Sequence, residues 1–121
     1  MRLWINTALP YSRQMLTLIE SPIFSRMWPE YWSEDERGAF VSWLAQNPEA
    51  GDVVAGSGGV RKVRWARAGM GKRGGVRVIH FNQLDSGLIW LLTIYAKSNV
   101  SNAPSHILQA LKKENIDEAN E

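Results

Sequence analysis

Residues 88–95 constrain the fold more strongly than any other part of this 121-residue chain. The segment has the length of a strand, and both of its alternating faces are apolar except at Thr93 and Tyr95. A strand with one polar face can leave that face in water, whereas a strand that is apolar on both faces must be buried on both. We therefore expect residues 88–95 to form the central strand of a sheet.

The sequence before that strand predicts one strand and two helices. Residues 16–20 have strand character, and the short helical segment that follows is ended by Pro29. Ser33 and Glu36 then stand at the spacing of a capping box, in which each side chain accepts a hydrogen bond from the backbone N–H of the other residue. This motif predicts that a second helix begins at residue 34, and Asn47 followed by proline predicts where it ends.

Three strands and a final helix are predicted in the second half of the chain. The strands span residues 60–66, 76–81 and 88–95, separated by a glycine-rich loop at 67–75 and a turn at 82–87, and the helix spans residues 104–113. Short connections between successive strands favour antiparallel pairing. We therefore predict an α+β fold in which helices cover one face of a small antiparallel sheet.

The chain length suits one small domain. We place this domain at residues 15–113. Residues 1–14 form an N-terminal extension whose status the sequence leaves open, and residues 114–121 form an acidic tail that we expect to fray.

Composition excludes several classes of site. The chain has no cysteine, which rules out disulfides, thiolate nucleophiles and cysteine zinc sites, and His80 and His106 lack the spacing of paired metal ligands. We expect neither a metal nor a cofactor.

No segment approaches the roughly 20 apolar residues of a membrane span, and the N-terminal residues lack the apolar core of a secretion signal. These features predict a cytoplasmic protein without a membrane partner.

Positive charge is concentrated in one block of the chain. The formal net charge is only +2, yet residues 61–77 hold half of the 14 basic residues, and no acidic residue lies between Asp52 and Asp85. The basic residues of this block are Arg61, Lys62, Arg64, Arg67, Lys72, Arg73 and Arg77. Any one of them could simply keep a strand face solvated, but solvated faces normally mix both signs. The block as a whole therefore predicts a polyanionic partner.

Strand alternation sorts these basic residues by face. Lys62 and Arg64 should project from one face, and Arg61 from the other together with Val63 and Trp65. Arg77 joins the face of Arg64 if the hairpin register allows it.

The last strand ends with Tyr95 and Lys97, which it can bring to the sheet edge near the basic hairpin. Tyr95 could stack on a nucleobase there or pack at the edge of the core.

Residues 69–74 match the GxGxxG pattern of dinucleotide-binding loops, but their context differs. They lie between two predicted strands, whereas that motif requires a strand followed by a helix. A phosphate-binding Walker loop is excluded too, because Ala66 stands in place of its first glycine and Arg73 in place of its Ser or Thr. The glycine-rich segment therefore does not predict nucleotide binding.

Three segments of the basic region resemble one protein family. Residues 58–65 (GGVRKVRW), 71–79 (GKRGGVRVI) and 91–97 (LLTIYAK) are similar to the RelE/ParE toxin superfamily, and most to its HigB-like branch. The similarity extends over residues 15–111. Members are toxins of type II toxin-antitoxin systems, with a compact sheet flanked by helices, and the RelE and HigB members cut mRNA in the ribosomal A site without a metal.

The resemblance implies a set of partners. They are the ribosome with its mRNA and a cognate antitoxin, expected to be a helix-turn-helix protein through which the toxin-antitoxin complex binds operator DNA. Two alternatives remain open from the sequence. ParE-like members share the fold but inhibit DNA gyrase by binding it, and a module that holds nucleic acid without catalysis would also carry this charge.

The resemblance also implies roles for individual residues. Cleavage would use the RNA 2′-hydroxyl as nucleophile, with Arg64 and Arg77 stabilising the phosphorane. The candidates for general acid and base are Lys62, Lys72 and Lys97. Further contacts to RNA are expected from Arg61, Arg67, Arg73 and Tyr95. The type member also uses a tyrosine in the C-terminal helix, where this chain offers only His106, so the identity of acid and base stays open.

Overall fold

The computed structural model describes residues 2–5, 16–67, 71–97 and 103–119. Short 3-10 turns follow α1 and β5. In chain order the main elements are β1 (Arg2–Ile5), β2 (Thr17–Glu20), α1 (Pro22–Met27), α2 (Glu34–Gln46), β3 (Asp52–Val53), β4 (Arg61–Arg67), β5 (Gly71–Gln83), β6 (Leu88–Ala96) and α3 (Ser105–Ala119).

The strands form one six-stranded sheet in the order β1-β2-β6-β5-β4-β3. The apolar strand β6 lies inside the sheet, between β2 and β5, as its sequence predicts. All neighbouring strands are antiparallel except β2 and β6, which are parallel. The prediction of a wholly antiparallel sheet is therefore wrong at this pair. Parallel strands need a long crossover, and the chain supplies one because α1, α2 and the hairpin all lie between β2 and β6.

The three helices cover both faces of the sheet, so the prediction that they cover one face is wrong. The reason lies in β6, whose two apolar faces both require burial. One face packs against α1 and α2, and contributes Ile89, Leu91 and Ile94 to a core with Phe24, Phe40 and Leu44. The other face packs against α3, and contributes Trp90, Leu92 and Tyr95 to a second core with Leu108 and Ile116.

Helix α2 begins where its capping motif predicts. The Glu36 amide donates to Ser33 Oγ at 3.2 Å, and the Ser33 amide donates to Glu36 Oε1 at 3.0 Å. Three carboxylates in the first turn favour the positive end of the helix. Local sequence is sufficient to define this helix start.

A buried ion pair connects α2 to β2. Arg37 and Glu20 are both fully buried, with Arg37 Nη1 at 3.6 Å from Glu20 Oε2. The guanidinium also lies 3.9 Å from the centroid of the Trp28 ring and pairs with the exposed Glu34 at 3.2 Å. The Arg37 cation is therefore stabilised by one carboxylate from β2, one from α2 and an aromatic ring.

Several boundaries differ from those predicted. Strand β5 begins at Gly71, so most of the predicted loop at 67–75 is strand, and the short strand β3 was not predicted. Helix α3 continues beyond the predicted end at Lys113 to Ala119, because Ile116 packs in the second core. Within the predicted N-terminal extension, β1 pairs with β2. In the part of the chain that the structure describes, no helix is long and apolar enough to cross a membrane.

His80 is a buried titratable group that should make stability depend on pH. Its ring nitrogens lie 3.0 Å from Asn82 Oδ1 and 3.1 Å from the Ala50 carbonyl oxygen. Burial lowers the pKa of His80 below its ordinary value of 6.5, the two hydrogen bonds oppose that shift, and the nearby Arg61 adds to it. The folded state thus binds fewer protons than the unfolded state. The contribution of neutral His80 to the free energy of unfolding should therefore be complete above pH 6.5. It should be lost as the pH drops from there through the folded-state pKa.

Urea unfolding of wild type, His80→Gln and His106→Gln across this pH range measures the effect. One proton limits the slope to about 1.4 kcal/mol per pH unit. The His80→Gln protein should lose this acid-induced decline, and the variant of the exposed His106 should retain it. An unchanged pH profile in His80→Gln would show that other groups cause the decline.

Candidate nucleic-acid interface

The sheet register places three of the predicted site residues in one row across adjacent strands. Arg64 on β4 pairs with Arg77 on β5, and Arg77 pairs with Tyr95 on β6. Side chains of directly paired residues project from the same face of a sheet. The register therefore meets the condition under which Arg77 joins the face of Arg64.

A cleft with a volume of about 420 Å³ lies at this end of the strands, and we name it the basic cleft. Its lining residues are Arg64, Trp65, Ala66, Gly75, Arg77 and Lys97. Lys97 follows β6 directly, and its backbone amide donates to the Gly75 carbonyl at 3.5 Å. The cleft thus combines basic residues from β4, β5 and the end of β6.

The hairpin is irregular just beyond the basic cleft. Trp65 pairs with Val76, but the next pair joins Arg67 to Gly71, so β5 carries extra residues at this point. Such a bulge bends and twists the strands locally. It begins after Trp65, so the pairs of Arg64 with Arg77 and of Trp65 with Val76 keep the regular alternation of faces.

The positive charge of the basic cleft is not compensated within the described residues. Arg64 and Lys97 are exposed, whereas Arg77 is only 7% exposed. Arg77 Nη1 donates a long hydrogen bond of 3.5 Å to the Val76 carbonyl oxygen. Across the described ranges, none of these three cations forms an ion pair with a carboxylate. The cleft therefore presents a field that attracts anions.

Tyr95 lies behind this cleft, in the core under α3. It is 9% exposed, and its hydroxyl oxygen is buried without a hydrogen bond of standard geometry to the described residues. Burial raises the pKa of the Tyr95 phenol above its ordinary value of 10.0, and Arg77 and the Ala103 backbone oppose this shift. The phenol is therefore protonated at neutral pH. Tyr95 does not line the cleft, and its contact with RNA stays a prediction.

Lys62 and Arg61 lie outside the basic cleft. Lys62 shares the face of Arg64, but the register places it beside Asp52 of the edge strand β3. Arg61 projects from the opposite face, where its Nη1 donates to the Glu49 carbonyl at 2.8 Å and to the Gly51 carbonyl at 3.2 Å. Arg61 thus holds the segment before β3 against the sheet.

Three further predicted residues cannot be placed by their side chains. The backbones of Arg67, Lys72 and Arg73 belong to β4 and β5. Their side chains lie outside the described residues, so their roles remain as the sequence predicts them.

Ala66 and Gly75 also line the basic cleft, and sequence reasoning did not assign them to the site. The signal that could have found them is strand alternation, because each stands two residues from an arginine of the cleft, the spacing at which strand residues share a face. Trp65 is among the lining residues too, but it pairs with Val76 and its ring packs against the main core, as alternation predicts.

Other observations leave the basic cleft as the main basis for assigning a function. Within the described residues, no group of three or more His, Cys, Asp or Glu side chains could hold a metal ion. Comparison of the chain with models of known protein families finds no match. An assignment of function to this chain therefore rests on the basic cleft and on the sequence resemblance.

Proposed function

We propose that this protein is a RelE-like endoribonuclease, the toxin of a type II toxin-antitoxin system that cuts translated mRNA in the ribosomal A site. The observation that carries the proposal is the basic cleft, in which Arg64, Arg77 and Lys97 converge without carboxylate partners among the described residues. RNA cleavage by its own 2′-hydroxyl needs this kind of site, because negative charge accumulates on the phosphate in the transition state.

The reaction needs no metal or water in its first step. The 2′ oxygen bonds to the adjacent phosphorus while the bond from phosphorus to the 5′ oxygen breaks, giving a 2′,3′-cyclic phosphate and a free 5′-hydroxyl. Arg64 and Arg77 would bind the phosphorane oxygens, since a planar guanidinium donates two parallel hydrogen bonds and keeps its charge. DNA lacks the nucleophile and would be inert.

Two protons must move during this reaction, one from the 2′-hydroxyl and one to the leaving 5′ oxygen. Of the three lysine candidates, Lys97 lines the basic cleft. Lys62 lies further along β4, beside Asp52, and Lys72 is the candidate from the start of β5. In this proposal Tyr95 acts indirectly, because it packs beside Arg77 and can hold that side chain in position.

The same surface would also bind the antitoxin. A cognate helix-turn-helix antitoxin would neutralise the toxin in the cytoplasm by covering or distorting the basic cleft, and would bring the complex to operator DNA. An acidic segment of that partner would suit the cleft.

Primer extension on translated mRNA after induction of the protein tests the proposal. Discrete cuts within codons are expected, and they should disappear from a message whose start codon has been removed. Replication arrest with intact transcripts would indicate a gyrase inhibitor instead, and neither effect would indicate a nucleic-acid-binding module without catalysis. On programmed ribosomes, a 2′-deoxy nucleotide at the cleaved position should block the cut.

A further inference from the structure

We propose that Gly75 determines how deeply a phosphate can enter the basic cleft, because its missing side chain leaves open the space through which an anion reaches Arg77. This inference deepens the proposed function and rests on it for the identity of the substrate. It starts from the wall of the cleft, part of which is formed by Gly75. Glycine has only backbone atoms, so this part of the wall is bare main chain.

The main core fixes the direction in which a side chain at position 75 would project. Val76 is fully buried in that core and pairs with Trp65. Neighbouring residues of a strand project from opposite faces, so positions 75 and 77 both face away from the main core. A side chain at position 75 would therefore project from the face on which Arg77 lines the cleft.

Gly75 lies between two of the cationic residues of the cleft. Arg77 follows it two positions along β5, and the Lys97 amide donates to its carbonyl oxygen at 3.5 Å. A phosphate that contacts both cations would lie over Gly75. The cleft volume of about 420 Å³ is near the lower end of the roughly 300–1,000 Å³ of ligand sites, so a few added side-chain atoms would fill much of the room.

The depth of the cleft matters because of Arg77. This arginine is only 7% exposed, whereas Arg64 and Lys97 are exposed. An anion can contact Arg64 and Lys97 from the surface, but it must enter the cleft to contact the Arg77 guanidinium. The open space over Gly75 gives the anion that access.

The conformation of β5 does not require a glycine at this position. Gly75 lies within the strand, where the backbone is extended and residues with a side chain fit. Glycine weakens a strand, and it often marks either a bulge or a place where a ligand comes close to the backbone. The irregular part of the hairpin begins nearby, between Trp65 and Arg67. These two roles of Gly75 predict different effects of substitution.

The binding of an uncleavable single-stranded 2′-O-methyl RNA oligomer at several salt concentrations distinguishes the two roles. Each lost phosphate contact should flatten the slope of log K against log salt concentration by about 0.7. Gly75→Val removes no charge, yet it should flatten the slope by this amount and weaken binding about 10- to 100-fold, because the phosphate no longer reaches Arg77. Gly75→Ala adds fewer atoms and should give a smaller change of both quantities.

Two comparisons test whether the effect acts through Arg77. Arg77→Met should flatten the slope as Gly75→Val does, and adding Gly75→Val to Arg77→Met should weaken binding by less than about twofold more, because the blocked contact is already lost. Gly38→Ala is the matched control for Gly75→Ala. It adds the same atom on α2, where nothing lies within 4 Å of the new β-carbon, and should change neither affinity nor slope.

The alternative is that Gly75 serves only the bulge. Wild-type affinity and slope in Gly75→Val, an equal loss of affinity with and without Arg77, or a wild-type protein whose binding does not depend on salt would each overturn the inference. Urea unfolding shows whether Gly75→Val is folded. If it is not, Gly75→Ala decides the question, since binding like that of the wild type would then overturn the inference.

Failure of the proposed function gives a different pattern. If Gly75→Val changes the salt slope as expected but the wild type does not cut translated mRNA, the phosphate site stands and the nuclease proposal falls. If the wild type and Gly75→Val cut mRNA equally well, the nuclease stands and the role of Gly75 falls.

Discussion

Replacing Arg77 with methionine should lower the rate of the proposed mRNA cleavage about 100-fold or more, while the free energy of unfolding stays the same or rises slightly. Arg77 is 7% exposed and forms no ion pair within the described part of the chain, so its burial costs desolvation that no carboxylate offsets there. Methionine keeps the aliphatic volume and removes the charge. Opposite effects on activity and stability would indicate a cation retained for function.

Arg64→Ala and a matched control complete this experiment. Arg64 is exposed, so its removal should change stability by less than about 0.5 kcal/mol and still lower cleavage about 100-fold. Arg26→Ala removes an exposed arginine of α1, on the face of the sheet opposite α3, and should cleave as the wild type does. Cleavage is measured by primer extension, and stability by urea unfolding. Full activity in Arg77→Met would mean that the basic cleft is not the catalytic site.

Replacing Glu20 with glutamine should lower the free energy of unfolding by about 3 kcal/mol, because it leaves the Arg37 cation buried without its fully buried carboxylate. The substitution keeps the shape of the side chain, and its amide oxygen can still accept the hydrogen bond that Ser25 Oγ donates to Glu20 Oε1 at 3.0 Å. The loss therefore reports mainly on charge. Urea or thermal unfolding measures it.

The chain provides its own controls for this second experiment. Glu34 pairs with the same arginine but its side chain is 68% exposed, so Glu34→Gln should cost less than about 1 kcal/mol. Adding Arg37→Met to Glu20→Gln should recover most of the loss, since the buried cation is then removed together with its buried counter-charge. If the double variant is less stable than Glu20→Gln alone, Arg37 stabilises the fold by its contact with Trp28 more than by its charge pair.

Prediction from sequence succeeds where the signal is local. The capping residues Ser33 and Glu36 form both hydrogen bonds expected of them, and the short helix before them ends near Pro29 as predicted. The burial of β6 also follows from its composition alone. In each case the deciding interactions lie within a few residues or depend only on which side chains must avoid water.

Prediction fails where distant segments decide the outcome. Nothing near Glu20 in sequence indicates that it is fully buried, because its partner Arg37 comes from another element. The parallel pairing of β2 with β6 and the position of α3 on the second face depend on how the whole chain packs. The roles of single residues in the basic region also depend on distant contacts. Charge indicated the region, but Arg61 donates its hydrogen bonds to the segment before β3.

By itself, the sequence determined most of the strands and helices, that one strand must be buried on both sides, and that one stretch of chain carries an excess of positive charge. Only the tertiary structure decided which of those charges meet. Pairing between β4, β5 and β6 aligns Arg64 with Arg77 and brings Lys97 to the same cleft. The physical reason is that propensity and charge are properties of short segments, whereas strand register is set by contacts between residues far apart in sequence.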